Sequence, residues 1–213
     1  MPKVIILTAI TLLLAASALG FDYVEDFDDG VADGFVESGA AWWISNGIYT
    51  THVEGYAVFS LATLGDMSWR DYRIECDVLV KASVNHVVHV RGDLLHNTYS
   101  LNVRSAPFND IIIAKRTQDN VVVHASAPYA CENETWHHLK ITVIGGFIEV
   151  VVDDAASVTF TDPSPIPSGP FALIGFSGGS HEYQDAQFDN VSIDFLSVDN
   201  ESQSVGEIKR EYR

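Results

Sequence analysis

The chain has 213 residues, 47% of them hydrophobic, and its 29 Asp and Glu against 12 Lys and Arg give a formal charge of −17. This length suits one domain that buries its own core without metal or disulfide support. The negative charge argues against nucleic-acid and anionic-lipid partners, and the many Val, Ile and aromatic residues exclude intrinsic disorder.

The N-terminus, residues 1–20, has the pattern of a secretory signal peptide. Lys3 precedes an apolar run over residues 4–14, and small residues follow as far as Gly20. Cleavage is predicted before Phe21, with cleavage after Ala18 as the alternative. A membrane anchor is disfavoured because a span needs about 20 apolar residues. We therefore expect a protein that is secreted, periplasmic or at the cell surface, with no membrane insertion after cleavage.

The pattern over residues 21–198 predicts one domain built from strands. Short runs either alternate apolar and polar residues or are wholly apolar and rich in Val and Ile. The predicted strands are Trp42–Ser45, Ile48–His52, Tyr56–Ser60, Tyr72–Val80, His86–Arg91, Thr98–Arg104, Asp110–Arg116, Asn120–Ser126, His138–Ile144, Phe147–Asp153, Val158–Asp162, Phe171–Phe176 and Gln187–Phe195. Tight turns are predicted at Asn46-Gly47 and Gly145-Gly146. A dozen strands without helices must stack as two sheets or close into a barrel, and residues 199–213 are predicted to be a polar tail.

Two cysteines, Cys76 and Cys131, remain after signal cleavage. An oxidising compartment permits one disulfide between them. Cys76 shares a strand face with Ile74 and Val78, which places it in the predicted core, whereas Cys131 lies in a polar loop. Both a bridge and two free thiols are compatible with these positions.

A series of short motifs runs along the chain in a recognisable order. The motifs are Glu25–Gly30, Trp42–Tyr49, Trp69–Ile74, Val90-Arg91, Asn97–Leu101, Thr135–Ile141, Ser168–Gly175 and Phe188–Val191. Their order resembles the concanavalin A-like lectin/glucanase superfamily in its laminin-G-like branch, and most closely the 3-keto-disaccharide hydrolase domains of secreted bacterial proteins. The resemblance implies an all-β, two-sheet antiparallel jelly-roll sandwich whose concave sheet often holds carbohydrate.

The carboxylates that glycan-cleaving members of this superfamily use are incomplete here. Those members carry Glu-x-Asp-x-x-Glu or Glu-x-Asp-x-Glu on one strand, which places two carboxylates beside the scissile bond. Glu75 and Asp77 supply the first half, but Leu79 and Val80 stand where the last Glu is needed. We therefore predict a non-catalytic carbohydrate-binding module, with an enzyme resembling the 3-keto-disaccharide hydrolases or a structural envelope protein as alternatives.

The central third of the chain carries the candidate sugar-binding side chains. Alternation places His89 and Arg91 on one face of their strand, and Asn102 and Arg104 together on the next. If the two strands pair, these side chains form one patch of hydrogen-bonding groups, with the arginines suited to hydroxyls or a uronate carboxylate. The alternative is the solvated face that antiparallel sheets have by default.

Aromatic rings normally complete a sugar platform. Trp42 and Trp43 must point to opposite sheet faces, so one belongs to the core and the other is a candidate platform. Tyr183 lies in a polar loop where an exposed ring is plausible, and Trp136 opens a strand and is predicted to be core. The predicted ligand-binding set is therefore His89, Arg91, Asn102, Arg104, Trp43 and Tyr183.

Acidic residues lie at both ends of the β array. Jelly-roll modules of this general kind often carry a structural calcium ion where the first and last strands meet, and calcium takes carboxylate and carbonyl oxygens. Asp26 and Asp28 near the first strand and Asp189 near the last are the predicted ligands. Solvated acidic turns are the alternative in a chain of this charge.

Overall fold

A computed structural model describes residues 22–55, 58–80, 86–118, 120–177 and 183–196. These residues form fifteen strands: β1 (Tyr23–Glu25), β2 (Val36–Ser38), β3 (Trp42–Ser45), β4 (Ile48–Glu54), β5 (Val58–Leu64), β6 (Tyr72–Val80), β7 (His86–Val90), β8 (Asn97–Arg104), β9 (Asp110–Thr117), β10 (Asn120–Pro128), β11 (Thr135–Ile144), β12 (Phe147–Val152), β13 (Ala156–Thr161), β14 (Phe171–Ser177) and β15 (Tyr183–Phe195). The predicted signal peptide and polar tail lie outside the described residues. None of the described residues belongs to a helix of membrane-spanning length and hydropathy.

The strands form two antiparallel sheets. The eight-stranded sheet has the order β13-β12-β11-β6-β15-β4-β3, with β1 paired to β15, and the seven-stranded sheet has the order β10-β9-β8-β7-β14-β5-β2. Strands distant in sequence lie side by side in both sheets, as β6 does with β15 and β7 with β14. The all-β jelly-roll sandwich predicted from the sequence is confirmed.

The core lies between the two sheets and follows the period-2 pattern. In β6, Tyr72, Ile74, Cys76 and Val78 are fully buried. Tyr99, Leu101 and Val103 of β8 face them from the other sheet, as predicted. Aromatic rings fill one end of this core: Phe27, Phe35, Trp42, Tyr49, Phe171 and Phe188. Non-directional burial of these faces is what holds the sheets together.

The predicted strands agree with the structure except at a few ends. β5 extends to Leu64, four residues beyond the predicted end, and the three-residue strands β1 and β2 were not predicted. The Asn46-Gly47 turn between β3 and β4 has positive φ at both residues, 54° and 75°. This is the backbone that a type I′ hairpin requires.

Both cysteines are free thiols, and both are buried. Burial raises the pKa of Cys76 to about 12 and that of Cys131 to about 11. Cys131 lies in a loop, as predicted. Its side chain is nevertheless only 5% exposed, because the segment packs beside Ser105 through an isolated β-bridge. Trp136 was predicted to be core but is 38% exposed at the start of β11.

Candidate functional site

The outer face of the seven-stranded sheet carries a second apolar cluster, separate from the core. Its members are Leu61, Leu94, Ala172 and Ile174, with Phe59 and Phe176 packed against them. Neighbours on the same strands, such as Ala62 and Leu173, belong to the core instead. Since successive side chains of a strand point to opposite faces, the second cluster lies on the outside of the sandwich. Its four members are at most 6% exposed, so the partly buried rings of Phe59 and Phe176 supply the accessible apolar surface of this face.

Polar and small residues of the adjoining strands continue this face. Strand pairing places His89 opposite Ser100, Ser100 opposite Ala114, and Asn102 opposite Ile112. We call the combined surface the cup. Its residues are Phe59, Leu61, His89, Leu94, Ser100, Asn102, Ile112, Ala114, Arg116, Ala172, Ile174 and Phe176.

The floor of the cup is shielded from solvent although it belongs to an outer sheet face. His89 and Ala114 are 1% exposed, and Asn102 and Ser100 are 7% and 8% exposed. Side chains on a flat outer face are normally half solvated. The burial therefore shows that side chains projecting further from the sheet shield these residues from solvent.

The walls come from opposite sides of the sheet. The Arg116 guanidinium carbon lies 5.2 Å from the centre of the Phe59 ring, although β9 and β5 are separated by β8, β7 and β14. The Phe59 ring also stacks on Phe176 with a centroid distance of 4.4 Å. The sheet is thus concave enough for side chains of its outer strands to meet across the cup.

His89 is a neutral hydrogen-bonding group in the floor. Its Nδ1 lies 2.6 Å from the carbonyl oxygen of Leu94, so Nδ1 carries the proton. Burial lowers the pKa of His89 to about 4, and the positive charge of Arg116 acts in the same direction. At neutral pH, therefore, Nε2 carries a lone pair and can accept a hydrogen bond.

The loop that supplies Leu94 is ordered by Asp93. One carboxylate oxygen of Asp93 accepts the backbone N–H groups of Leu95, His96 and Asn97. Leu94 has a φ of 64°, and its side chain is 4% exposed against the outer cluster. The loop between β7 and β8 thereby closes one end of the cup.

Arg116 is the least satisfied polar group of the cup. Its Nε is buried and has no hydrogen-bond partner among the described residues. Within the described residues, the guanidinium lies against the Phe59 ring. An unpaired buried donor costs about 1–3 kcal/mol, so the geometry favours an external acceptor at this point.

The structure places two of the predicted ligand-binding residues, His89 and Asn102, in the cup. Asn102 Oδ1 accepts a long hydrogen bond of 3.5 Å from Ser100 Oγ. Arg104 lies at the end of β8, where Nε binds Asp110 Oδ1 at 2.6 Å and the guanidinium covers the Phe108 ring at 4.4 Å. Nε and Nη2 of Arg104 are engaged by the Asp110 carboxylate, and the side chain lies at the rim of the cup.

Arg91 requires a correction, because it does not share the face of His89. It follows the last residue of β7 with a φ of 62°, and this left-handed backbone turns the side chain into the protein, where it is 1% exposed. The guanidinium donates to the carbonyl oxygens of Arg70, Gly145 and Ile166 and to the Asp71 carboxylate. Arg91 therefore joins three loops and has no free donor for a ligand.

The two aromatic candidates also lie elsewhere. Trp43 is 44% exposed, as expected for the partner of buried Trp42, but it belongs to β3 of the eight-stranded sheet. Tyr183 begins β15 of the same sheet, opposite Glu54. The predicted single site is thus divided between the two sheets. The aromatic groups of the cup are Phe59 and Phe176 instead.

Arg116 and Phe59 were not predicted as site residues. Arg116 was visible as one of the basic residues in the middle of the chain, two positions from Ala114 on the same strand face. The pairing of β8 with β9, which sets Thr98 opposite Arg116, is what brings it to the cup. Phe59 carried no signal in the sequence beyond its place in an apolar strand.

The predicted calcium ligands approach one another without forming a metal site. Burial raises the pKa of Asp189, and so does repulsion from Asp77, Asp28 and Asp26. Among the described residues, however, no group of three or more potential ligands has the geometry to hold a metal ion. Glu25 serves the local backbone, since it accepts the N–H groups of Phe27 and Asp33.

Glu75 and Asp77 lie on the outer face of the eight-stranded sheet, as predicted. Both are partly exposed, and His138 bridges them: its Nδ1 lies 2.7 Å from Asp77 and its Nε2 lies 3.4 Å from Glu75. They are therefore part of a surface network of polar contacts around His138, on the sheet that does not contain the cup.

Comparison with known proteins identifies the family of the chain. The model of the family described as "Galactocerebrosidase, C-terminal lectin domain" matches residues 54–196. The chain belongs to this family. Every residue of the cup lies within the matched range, whereas Trp43, Asp26 and Asp28 precede it.

A curated relative and two solved structures define the relationship further. Galactocerebrosidase of Macaca mulatta is 25% identical over 143 residues, and the match covers 63% of this chain but only 20% of that protein. The carbohydrate-binding module CBM66 from Bacillus subtilis superposes with a TM-score of 0.60 at 20% identity, covering 76% of this chain and 95% of the module. The exoplasmic/lumenal domain of VIP36, bound to Ca²⁺ and Man3GlcNAc, gives a TM-score of 0.60 at 8% identity, covering 78% and 85%. The lectin-domain family therefore has, in this chain, the fold of carbohydrate-binding modules.

Proposed function

We propose that the mature chain is a secreted, non-catalytic module that binds a glycan in the cup. The observation that carries the proposal is Arg116, whose buried Nε lacks a partner among the described residues while the guanidinium lies over Phe59 beside the second apolar cluster. Binding sites for small ligands combine apolar walls with a few placed polar groups. The cup has this composition.

The polar groups of the cup match the chemistry of sugar hydroxyls. Ser100 and Asn102 supply a hydroxyl and an amide, and neutral His89 supplies an acceptor at Nε2. The stacked rings of Phe59 and Phe176 supply apolar contact for the C–H groups of a pyranose. Membership in a lectin-domain family and the likeness to CBM66 support the same proposal.

A non-catalytic role is supported by the side chains of the cup. Glycosidases flank the scissile bond with two carboxyl groups, and the cup residues defined above include no Asp or Glu. Glu75 and Asp77 belong to the other sheet and are engaged by His138. Export is supported by the signal-peptide pattern at residues 1–20 and by the exoplasmic or lumenal origin of the VIP36 domain.

The experiment is a glycan array probed with residues 21–213, followed by calorimetry on the glycans that bind. We expect Ala114→Trp, which places a large ring on the floor, and Phe59→Ala, which removes a wall, each to weaken binding at least about tenfold. Trp43→Ala is the matched control, because it removes an exposed ring from the other sheet. Thermal unfolding of each variant confirms that the fold is intact.

Three results contradict the proposal. Absence of binding to any glycan favours a structural protein. If Ala114→Trp and Phe59→Ala fold and bind the glycan fully while Trp43→Ala loses binding, the site lies on the eight-stranded sheet. Release of sugar from a bound glycan makes the chain an enzyme.

A further inference from the structure

The charge of the cup differs from that of the protein as a whole. The chain carries −17, yet the cup holds the guanidinium of Arg116 and, at its rim, Arg104. Arg104 is neutralised by the Asp110 carboxylate, and Lys115, the neighbour of Arg116, points to the opposite side and binds Asp162 at 2.7 Å. Within the described residues of the cup, Arg116 is thus a cation without a counter-ion.

From this arrangement we infer that the cup selects an acidic sugar, whose anionic group pairs with Arg116. The inference rests on the proposed glycan-binding function and adds the class of ligand. A guanidinium presents a planar fork of N–H donors that matches the two oxygens of a carboxylate, whereas neutral hydroxyls need no charge. An arginine without a counter-ion in a partly buried site carries a desolvation cost, which a negatively charged ligand would offset.

The neighbours of Arg116 orient such a ligand. Phe59 lies against one side of the guanidinium at 5.2 Å, so the cation is held over the apolar wall where the sugar ring packs. Ser100 and Asn102 lie on the adjacent strand β8, within the floor. The acidic group therefore contacts β9 while the hydroxyls of the ring face β8 and His89.

The test compares acidic oligosaccharides with their neutral forms. The probes are oligogalacturonates, hyaluronan oligosaccharides and sialyllactose, each beside its carboxyl-reduced form, together with sulfated lactose. We expect at least one acid to bind about tenfold or more tightly than its reduced form, and its affinity to fall as salt screens the charge. The sulfated probe distinguishes a carboxylate from another oxyanion as the recognised group.

Arg116→Gln identifies the residue responsible. We expect this variant to lose the preference for the acid, and Arg116→Lys to retain part of it, since lysine keeps the charge and lacks the fork. Arg70→Gln is the matched control: it removes the same charge from an exposed side chain outside the cup. The Arg116 side chain makes no hydrogen bond to the described residues, so its variants are expected to fold, and thermal unfolding of each variant checks this.

The outcomes separate this inference from the proposed function. Equal binding of acid and reduced forms, with binding abolished by Ala114→Trp, overturns the acidic ligand and keeps the glycan module. A preference for acids that Arg116→Gln and Arg70→Gln reduce equally also overturns it, because the general field then explains the preference. Absence of binding by all probes and by the array overturns the proposed function itself.

Discussion

Replacing Arg91 by alanine tests whether this residue is structural. Its guanidinium holds the β5–β6 loop through Arg70 and Asp71, the β11–β12 turn through Gly145, and the loop before β14 through Ile166. The Nη2–Asp71 Oδ1 distance is 3.0 Å, and the same oxygen accepts the N–H of Gly145 at 2.7 Å. One side chain thus joins three segments that are distant in sequence.

The expected loss can be estimated from these contacts. Removing one partner of a buried, hydrogen-bonded charge pair costs about 3–5 kcal/mol, because the remaining charge and carbonyl oxygens lose their partners. For a domain of this size, each kcal/mol lowers the melting temperature by about 2–4 °C, so Arg91→Ala should melt about 6–20 °C below the wild type. The melting temperature of Arg91→Lys should lie between those of the wild type and Arg91→Ala, since one ammonium group cannot reach all three carbonyl oxygens.

Urea unfolding followed by tryptophan fluorescence measures the change, and calorimetry measures glycan binding by the folded variant. We expect lower stability and unchanged affinity. A loss below about 1 kcal/mol together with weakened binding would refute the reasoning and return Arg91 to the ligand site.

Further predictions concern two titrating groups. Burial holds the pKa of His89 at about 4, so the free energy of unfolding of the wild type should fall by about 3 kcal/mol between pH 6.5 and pH 4. Urea titrations at each pH measure this loss, which His89→Asn should not show. Equal losses in the wild type and the variant would contradict the prediction. Burial and repulsion from Asp77, Asp28 and Asp26 raise the pKa of Asp189, so its charge costs stability at neutral pH and Asp189→Asn should unfold at a higher temperature in chelator. The same variant tests the predicted calcium site. If calcium binds there, it should raise the thermal unfolding midpoint of the wild type and leave that of Asp189→Asn unchanged. Equal wild-type midpoints in calcium and in chelator would contradict the calcium site.

The sequence predicts the sandwich because its signals are local. Alternation assigned Tyr72, Cys76 and Tyr99 to the core, and Asn46-Gly47 marked a hairpin with the required positive φ. The three-residue strands β1 and β2 escaped notice because so short a run has no period to detect.

The site was only half predictable, because it depends on pairing between distant segments. His89 and Asn102 meet because β7 and β8 form a hairpin, which adjacency in sequence suggests. Trp43 and Tyr183 lie on the other sheet, an assignment that local pattern does not contain. Alternation along β7 predicts that Arg91 shares the face of His89, but the positive φ of Arg91 breaks the alternation and directs its side chain inward.

The most direct test of the account is an NMR titration of ¹⁵N-labelled residues 21–213 with the tightest glycan from the array. Backbone amide shifts should change most in β8 and β9, around Ser100, Asn102, Ala114 and Arg116. Changes confined to β3, β11 or β15 would contradict the account, because those strands belong to the eight-stranded sheet.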